Sequence, residues 1–160
     1  MYSEIIIEMI NINRGDRRRI NHTLKVFALT KTISEIEISD NKVRNIAIIA
    51  SILHDIGIKV CEEKYQSSAG KHQEVEGPPI ARNILEKLGY GKEIIERVCY
   101  LISNHHTYSN IEGLDYRVLV EADLIVNLEE HKNTKKAIVE TKEKFFKTPT
   151  AIHILDSIFI

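Results

Sequence analysis

Seven side chains recur along this chain in an order that suits metal binding: His22, His54-Asp55, His72, His105-His106 and Asp123. Imidazole nitrogens and carboxylate oxygens together are a donor set for iron, manganese, cobalt, nickel or zinc. Seven such donors are enough for two adjacent ions with one carboxylate shared between them. The chain has seven histidines in all; this series takes five and leaves His131 and His153 outside it. The spacing within the series is loose, so its weight comes from where each member falls on the elements around it.

Those elements are helical nearly throughout. Residues 3–11 read as a short helix with isoleucines on one side. From Asp16, a plausible N-cap, to about Ile38, apolar residues recur at Ile20, Leu24 and Phe27 and at Val26, Leu29 and Ile33, which is helical rather than strand spacing. Asp40 caps the next helix, whose run Ile46, Ala47, Ile48, Ile49, Ala50, Ile52, Leu53 is apolar almost all round and so belongs at the centre of a bundle. It ends at His54-Asp55-Ile56-Gly57, with Gly57 as a natural stop. Residues 59–71 are polar and read as a loop. Gly77-Pro78-Pro79 is expected to break any helix begun at His72 and to start another through Leu88, since proline suits a first turn. Gly89-Tyr90-Gly91 makes a turn, and a helix from Lys92 delivers His105-His106 at its end. A further helix spans about 115–130, and one or two more finish the chain. With no repeat, linker or low-complexity tract, the expectation is an all-α, compact single-domain helical bundle over residues 1–160.

Placed on these helices, each member of the series has a plain reading and a chemical one. His22 shares a face with Val26, Leu29 and Ile33, where a lone histidine would be a hydrogen-bonded core residue. Asp55 closes the most hydrophobic helix of the chain, a costly place for a carboxylate unless it is paired or bound to a metal. Asp123 sits on an inward stripe with Leu119 and Asn127, where a cap or an ion pair would also account for it. His105-His106 could be a polar helix terminus, since the negative end of a helix favours histidine, and His72 alone says little. One metal centre explains all of them at once, where the plain readings need a separate cause for each.

On these residues the chain resembles the HD-domain superfamily of metal-dependent phosphohydrolases. The resemblance runs from about His22 to Asp123: a first histidine in a long helix, the LHDIG segment, a histidine followed by Glu76-Gly77, the NHH terminus and the late EAD. His72 and His105-His106 resemble the binuclear branch, which includes the HD-GYP phosphodiesterases and diadenosine-tetraphosphate hydrolases. The resemblance implies an HD-type helical fold in which His22, His54, Asp55 and Asp123 hold one ion. It implies that Asp55 bridges to a second ion held by His72, His105 and His106. Two departures stand out. The HD-GYP branch has a lysine three residues after the HD aspartate, where this chain has Ile58, with Lys59 one further on. Its glycine-tyrosine-proline segment is replaced by TYSNIEGLDYR after His106.

The chemistry this implies is phosphoester hydrolysis by a metal-activated water, with one or two divalent transition-metal ions and a nucleotide or other small phosphorylated substrate. Asp55 would sit at the reacting centre. Arg19, one turn before His22, and Lys59 are the candidate phosphate contacts, and Lys59 is also a candidate proton donor to the leaving oxygen. Glu76 and Glu121 are candidate partners for ligand histidines, and Tyr108 a candidate wall of the pocket. Two alternatives remain open: a di-iron oxygenase of the same superfamily, and a non-catalytic signalling module.

Composition excludes several other classes. A net charge of -1 and a pI near 6.7 leave no electrostatic footprint for a nucleic-acid polymer or an anionic membrane. Two cysteines, Cys61 and Cys99, make no disulfide framework, and no stretch approaches a membrane span. The start MYSEIIIEMI lacks the basic residues of a signal peptide, so the expectation is a cytoplasmic protein.

Overall fold

Asp16 and Asp40 do what their positions predict. The Asp16 carboxylate accepts from the Arg19 backbone N–H at 2.9 Å, and Asp40 accepts from Lys42 and Val43 at 2.8 and 2.9 Å. They start the two helices that organise the rest. The structure, a computed structural model, describes residues 2–160. Among these it has nine helices and no strand: α1 Tyr2–Ile12, α2 Arg17–Glu37, α3 Asn41–Leu53, α4 Ile58–Tyr65, α5 Gly70–Lys87, α6 Lys92–Ile102, α7 Leu114–Glu130, α8 Lys135–Phe145 and α9 Pro149–Phe159. None is long and apolar enough to cross a membrane.

The apolar run of α3 is buried without interruption from Ile46 to Leu53, so this helix has no solvent face over its last two turns. It packs against α1, α2, α6 and α7, as expected of a helix hydrophobic all round. The α2 and α7 helices also lie on one another, and α5 packs on α6 and α4. His54-Asp55 therefore leaves the C-terminus of the central helix into a space walled by α2 and α7. The segment carrying His105-His106 is fixed by a buried residue of α7: the Tyr116 hydroxyl donates to the carbonyls of Asn104 and Thr107. Arg97, paired with Asp115 at 2.8 Å, also donates to the Glu112 carbonyl, which holds the connection into α7.

The expectations fail around residues 57–88. Residues 58–65 form a helix rather than a loop, because Ile58 and Cys61, three apart, bury one side of it. Only residues 66–69 are irregular, with Gln66 ending α4 in a left-handed conformation (φ 52°). Pro78 and Pro79 do not break α5, which runs continuously from Gly70 to Lys87. Burial of Gln73 and Gly77 before and at the expected break, and of Ala81, Ile84 and Leu85 beyond it, holds both halves in one helix. Tertiary packing has overridden local preference there. Gly57 is no left-handed stop. Its backbone is right-handed (φ -81°, ψ -13°) and it opens α4. It has to be glycine because a Cβ there would sit 2.7 Å from the Gly77 backbone nitrogen.

Candidate metal centre

Four of the predicted ligands converge at the end of α3. His22 Nε2 lies 3.1 Å from Asp123 Oδ1, 3.4 Å from His54 Nε2 and 3.6 Å from Asp55 Oδ2. His54 Nε2 is 3.4 Å from Asp55 Oδ2 and 3.7 Å from Asp123 Oδ1. An ion with bonds of about 2.0–2.1 Å spreads its ligand atoms about 3.0–3.4 Å apart, depending on geometry. The His22, His54 and Asp123 atoms, 3.1–3.7 Å apart, thus stand within a few tenths of an ångström of an ion-holding arrangement, with Asp55 Oδ2 beside both imidazoles. The other carboxylate oxygen of Asp55, Oδ1, faces His105 Nε2 at 3.5 Å. Asp55, His105 and His106 form a second group able to hold an ion beside His22, His54 and Asp123, and Asp55 Oδ2 faces the two imidazoles of that first group.

The rings are held with Nε2 turned inward. His54 Nδ1–H donates to the Ser51 carbonyl and His105 Nδ1–H to the Ile102 carbonyl, both at 2.7 Å. His22 Nδ1 meets Glu130 Oε2 at 2.9 Å. Occupying Nδ1 fixes the tautomer and leaves the Nε2 lone pair for a ligand bond. His105 Nε2 is buried and has no hydrogen-bond partner, an orphaned acceptor that a cation would satisfy. Asn127 donates to Asp123 Oδ1 at 2.9 Å and steadies that carboxylate.

Electrostatics follow from bringing these groups out of water together. Burial by itself would depress His54, but Asp55 and Asp123 beside it prevail and push it up to about 9. Burial would raise Asp55 and Asp123. The imidazoles facing them hold both well below the usual carboxylate range instead. His106, half-buried and next to His105, is pushed down to about 4 and is neutral at physiological pH. An ion entering the first group must displace the proton His54 keeps up to about pH 9. Apparent affinity is therefore expected to rise about tenfold per pH unit for each proton displaced, between pH 6 and 8. Calorimetric titration in buffers of different ionisation enthalpy reads this directly. Affinity that does not change over that range would contradict it.

The remaining sequence-predicted residues divide. Arg19 lines the cavity over the centre but is already paired, with Asp16 at 3.1 Å and Glu62 at 2.9 Å. Lys59 is outside: exposed, with Nζ donating to the Ile12 carbonyl at 3.3 Å, because residue 59 falls on the outer face of α4. His72 is brought to neither group, since it lies on the side of α5 where its ring stacks on Tyr65 at 4.2 Å. Glu76 pairs with Lys64 and Tyr65 at the surface. Glu121 accepts from the backbone N–H groups of Lys147 and Thr148, just ahead of α9. Tyr108 packs on Phe145.

Sequence reading missed Glu130, Asn127, Gln73, Arg18 and His131. Asp123, Asn127 and Glu130 are spaced four and three apart, one face of α7, and that spacing was a usable signal for Glu130. Arg18 and His131 line the mouth of the cavity, which measures about 480 Å³. No ion pair involves Arg18 among the described residues, and His131 Nδ1–H donates to the Asn127 carbonyl at 2.8 Å.

Comparison with known proteins gives a consistent picture. The HD domain family model matches residues 19–142. Among solved structures, a predicted HD superfamily hydrolase from an uncultured Thermotogales bacterium shares the fold, with a TM-score of 0.69 and 24% identity. That similarity covers 96% of this chain and 82% of the other. No curated protein matches the sequence.

Proposed function

The chain belongs to the HD domain family, and from that premise we propose that it is a metal-dependent phosphohydrolase acting on a nucleotide or another small phosphoester. The observation that carries the reading is the convergence of Asp55 and Asp123 on His22 Nε2 and His54 Nε2, each carboxylate within 3.1–3.7 Å of both imidazoles, with Asp55 turned also toward His105. Bound ions at such a centre supply an activated water and neutralise charge on phosphoryl oxygens. The protein's own residues do the rest. Asp55 spans the two groups, and Glu130 and Asn127 hold His22 and Asp123 in place. The cavity of about 480 Å³ is the size of a small-ligand site and suits a mononucleotide rather than a polymer.

Substrate anion recognition falls to Arg18 rather than to Arg19 or Lys59. Arg19 already carries two carboxylates and Lys59 points elsewhere, whereas Arg18 lines the mouth unpaired. A hydrogen bond to a charged group contributes about 1.5–3 kcal/mol, and exposure puts Arg18 at the lower end. Arg18→Ala is expected to raise KM about tenfold with kcat little changed, and Arg19→Ala to disturb the start of α2 instead. Steady-state kinetics beside thermal melts separate the two.

The function itself is tested by incubating metal-loaded protein with a panel of nucleotides and phosphomonoesters under anaerobic conditions. Release of phosphate or of a nucleotide product from at least one member is expected, and chelator should abolish it. No turnover across the panel, with oxygen consumed on an organic substrate instead, would replace this reading by an oxidative one.

A further inference from the structure

The two ligand groups are unequal. The first has two imidazoles and the Asp123 carboxylate, with Asp55 Oδ2 3.4 and 3.6 Å from those imidazoles; the second, as the sequence would have it, loses His72 to its stack on Tyr65. The next residue takes the vacated place. Gln73 is buried at 5% exposure, and its amide nitrogen donates to the Ser68 carbonyl at 2.6 Å. That bond settles which end of the amide faces inward: Oε1 is the atom turned to His106 Nε2, 3.1 Å away. His22 Nε2 and Asp123 Oδ1, on the first group, stand 3.1 Å apart as well. A nitrogen and an oxygen at that separation can share a hydrogen when no ion is present, and both can turn lone pairs to an ion when one is.

The placement of Gln73 is built into α5. Gln73, Gly77, Ala81, Ile84 and Leu85 are its buried residues, at helical spacing along one face, and position 72 is rotated about 100° away from that face. The first turn of α5 also lies directly on the His106 ring: a Cβ on Gly70 would stand 2.9 Å from it. Helix packing therefore fixes both partners, and His105 Nε2, buried without a hydrogen bond and 3.5 Å from Asp55 Oδ1, belongs to the same group.

We propose that Gln73 Oε1 is a ligand of the second ion, beside Asp55 Oδ1, His105 Nε2 and His106. The proposal rests on reading the cluster as a two-ion centre. An amide oxygen is neutral and hard, so the second position is weaker than the first. It is also less selective for zinc, iron or nickel than an imidazole would make it, and better suited to manganese or magnesium. The first ion stays; the second exchanges with supply.

The experiment is calorimetric titration of chelator-stripped protein with Mn²⁺ and, separately, Zn²⁺, with elemental analysis after desalting, for the parent, Gln73→Ala and Gln73→His. The parent should retain one ion and bind a second at least about 10-fold more weakly. Gln73→Ala should weaken the second ion by about 10- to 100-fold, by analogy with losses seen when groups around a metal are removed. Gln73→His should tighten the second Zn²⁺ by about tenfold or more, which a residue serving only to orient His106 would not do. Affinity for the first ion should hold in both variants, and this serves as the check that they fold. Parent-like second-ion binding in Gln73→Ala, or no gain for Zn²⁺ in Gln73→His, removes Gln73 from the ligand set. A parent that binds no ion at all overturns the metal centre itself, a result distinct from either.

Discussion

Asp55→Ala is expected to empty both ion positions, and His106→Ala to leave one ion bound. Asp55 Oδ2 stands 3.4 and 3.6 Å from His54 and His22, while Oδ1 stands 3.5 Å from His105, so one side chain serves both groups. His106 belongs only to the second group. Removing a group that merely supports a ligand costs about 10- to 100-fold in affinity or activity. Removing a shared ligand should exceed that range, so hydrolysis by Asp55→Ala should fall by more than about 100-fold. Asp55→Asn keeps the volume and separates loss of the negative charge from loss of packing. Ions per chain, measured beside the parent at equal metal supply, decide the matter. Parent stoichiometry in Asp55→Ala would mean that this carboxylate bridges nothing.

The same comparison shows what sequence could and could not reveal. The all-helical fold was legible because α3 is apolar nearly all round and because Asp16 and Asp40 are unambiguous caps. Asp55 and Asp123 stood out because a carboxylate is costly on an inward helix position without a cation, and His22, His54, His105 and His106 through the order of the series and the family resemblance. Gln73 was not, since an amide carries no metal signature and the neighbouring histidine drew the assignment. The helical phase of Gly77 and Ala81 would have corrected it, but Pro78-Pro79 hid the continuity of α5. Lys59 and Arg19 differ from that set: Lys59 lies outside the cavity, and Arg19 lines it with its guanidinium already paired. Their chemistry was suitable, yet direction and prior pairing are tertiary facts: Lys59 turns to the Ile12 carbonyl, and Arg19 is bound by Glu62, which belongs to a helix that was read as loop.

Gly57→Ala is expected to destabilise the protein by about 1–3 kcal/mol, the usual cost of forcing atoms into a packed site. Backbone conformation is not the cause, for alanine is fully allowed at φ -81°. Space is the cause. The new Cβ would meet the Gly77 nitrogen at 2.7 Å and its Cα at 2.9 Å, and backbone atoms cannot rotate away as a side chain can. The start of α4 and the middle of α5 must therefore separate. For a chain of this size the loss corresponds to a melting temperature lower by roughly 3–10 °C. Gly91→Ala is the control, likewise at an N-cap but with φ -69° and nothing within 4 Å of the added carbon, and it should show only the smaller loss of replacing a glycine cap. The consequence reaches the metal centre, because Gly57 follows Asp55 by two residues and α5 carries Gln73 and Gly70 onto His106. Second-ion affinity should fall in Gly57→Ala by more than first-ion affinity, whose other ligands ride on α2, α3 and α7. Equal melting of the two alanine variants would mean that α4 and α5 do not approach so closely.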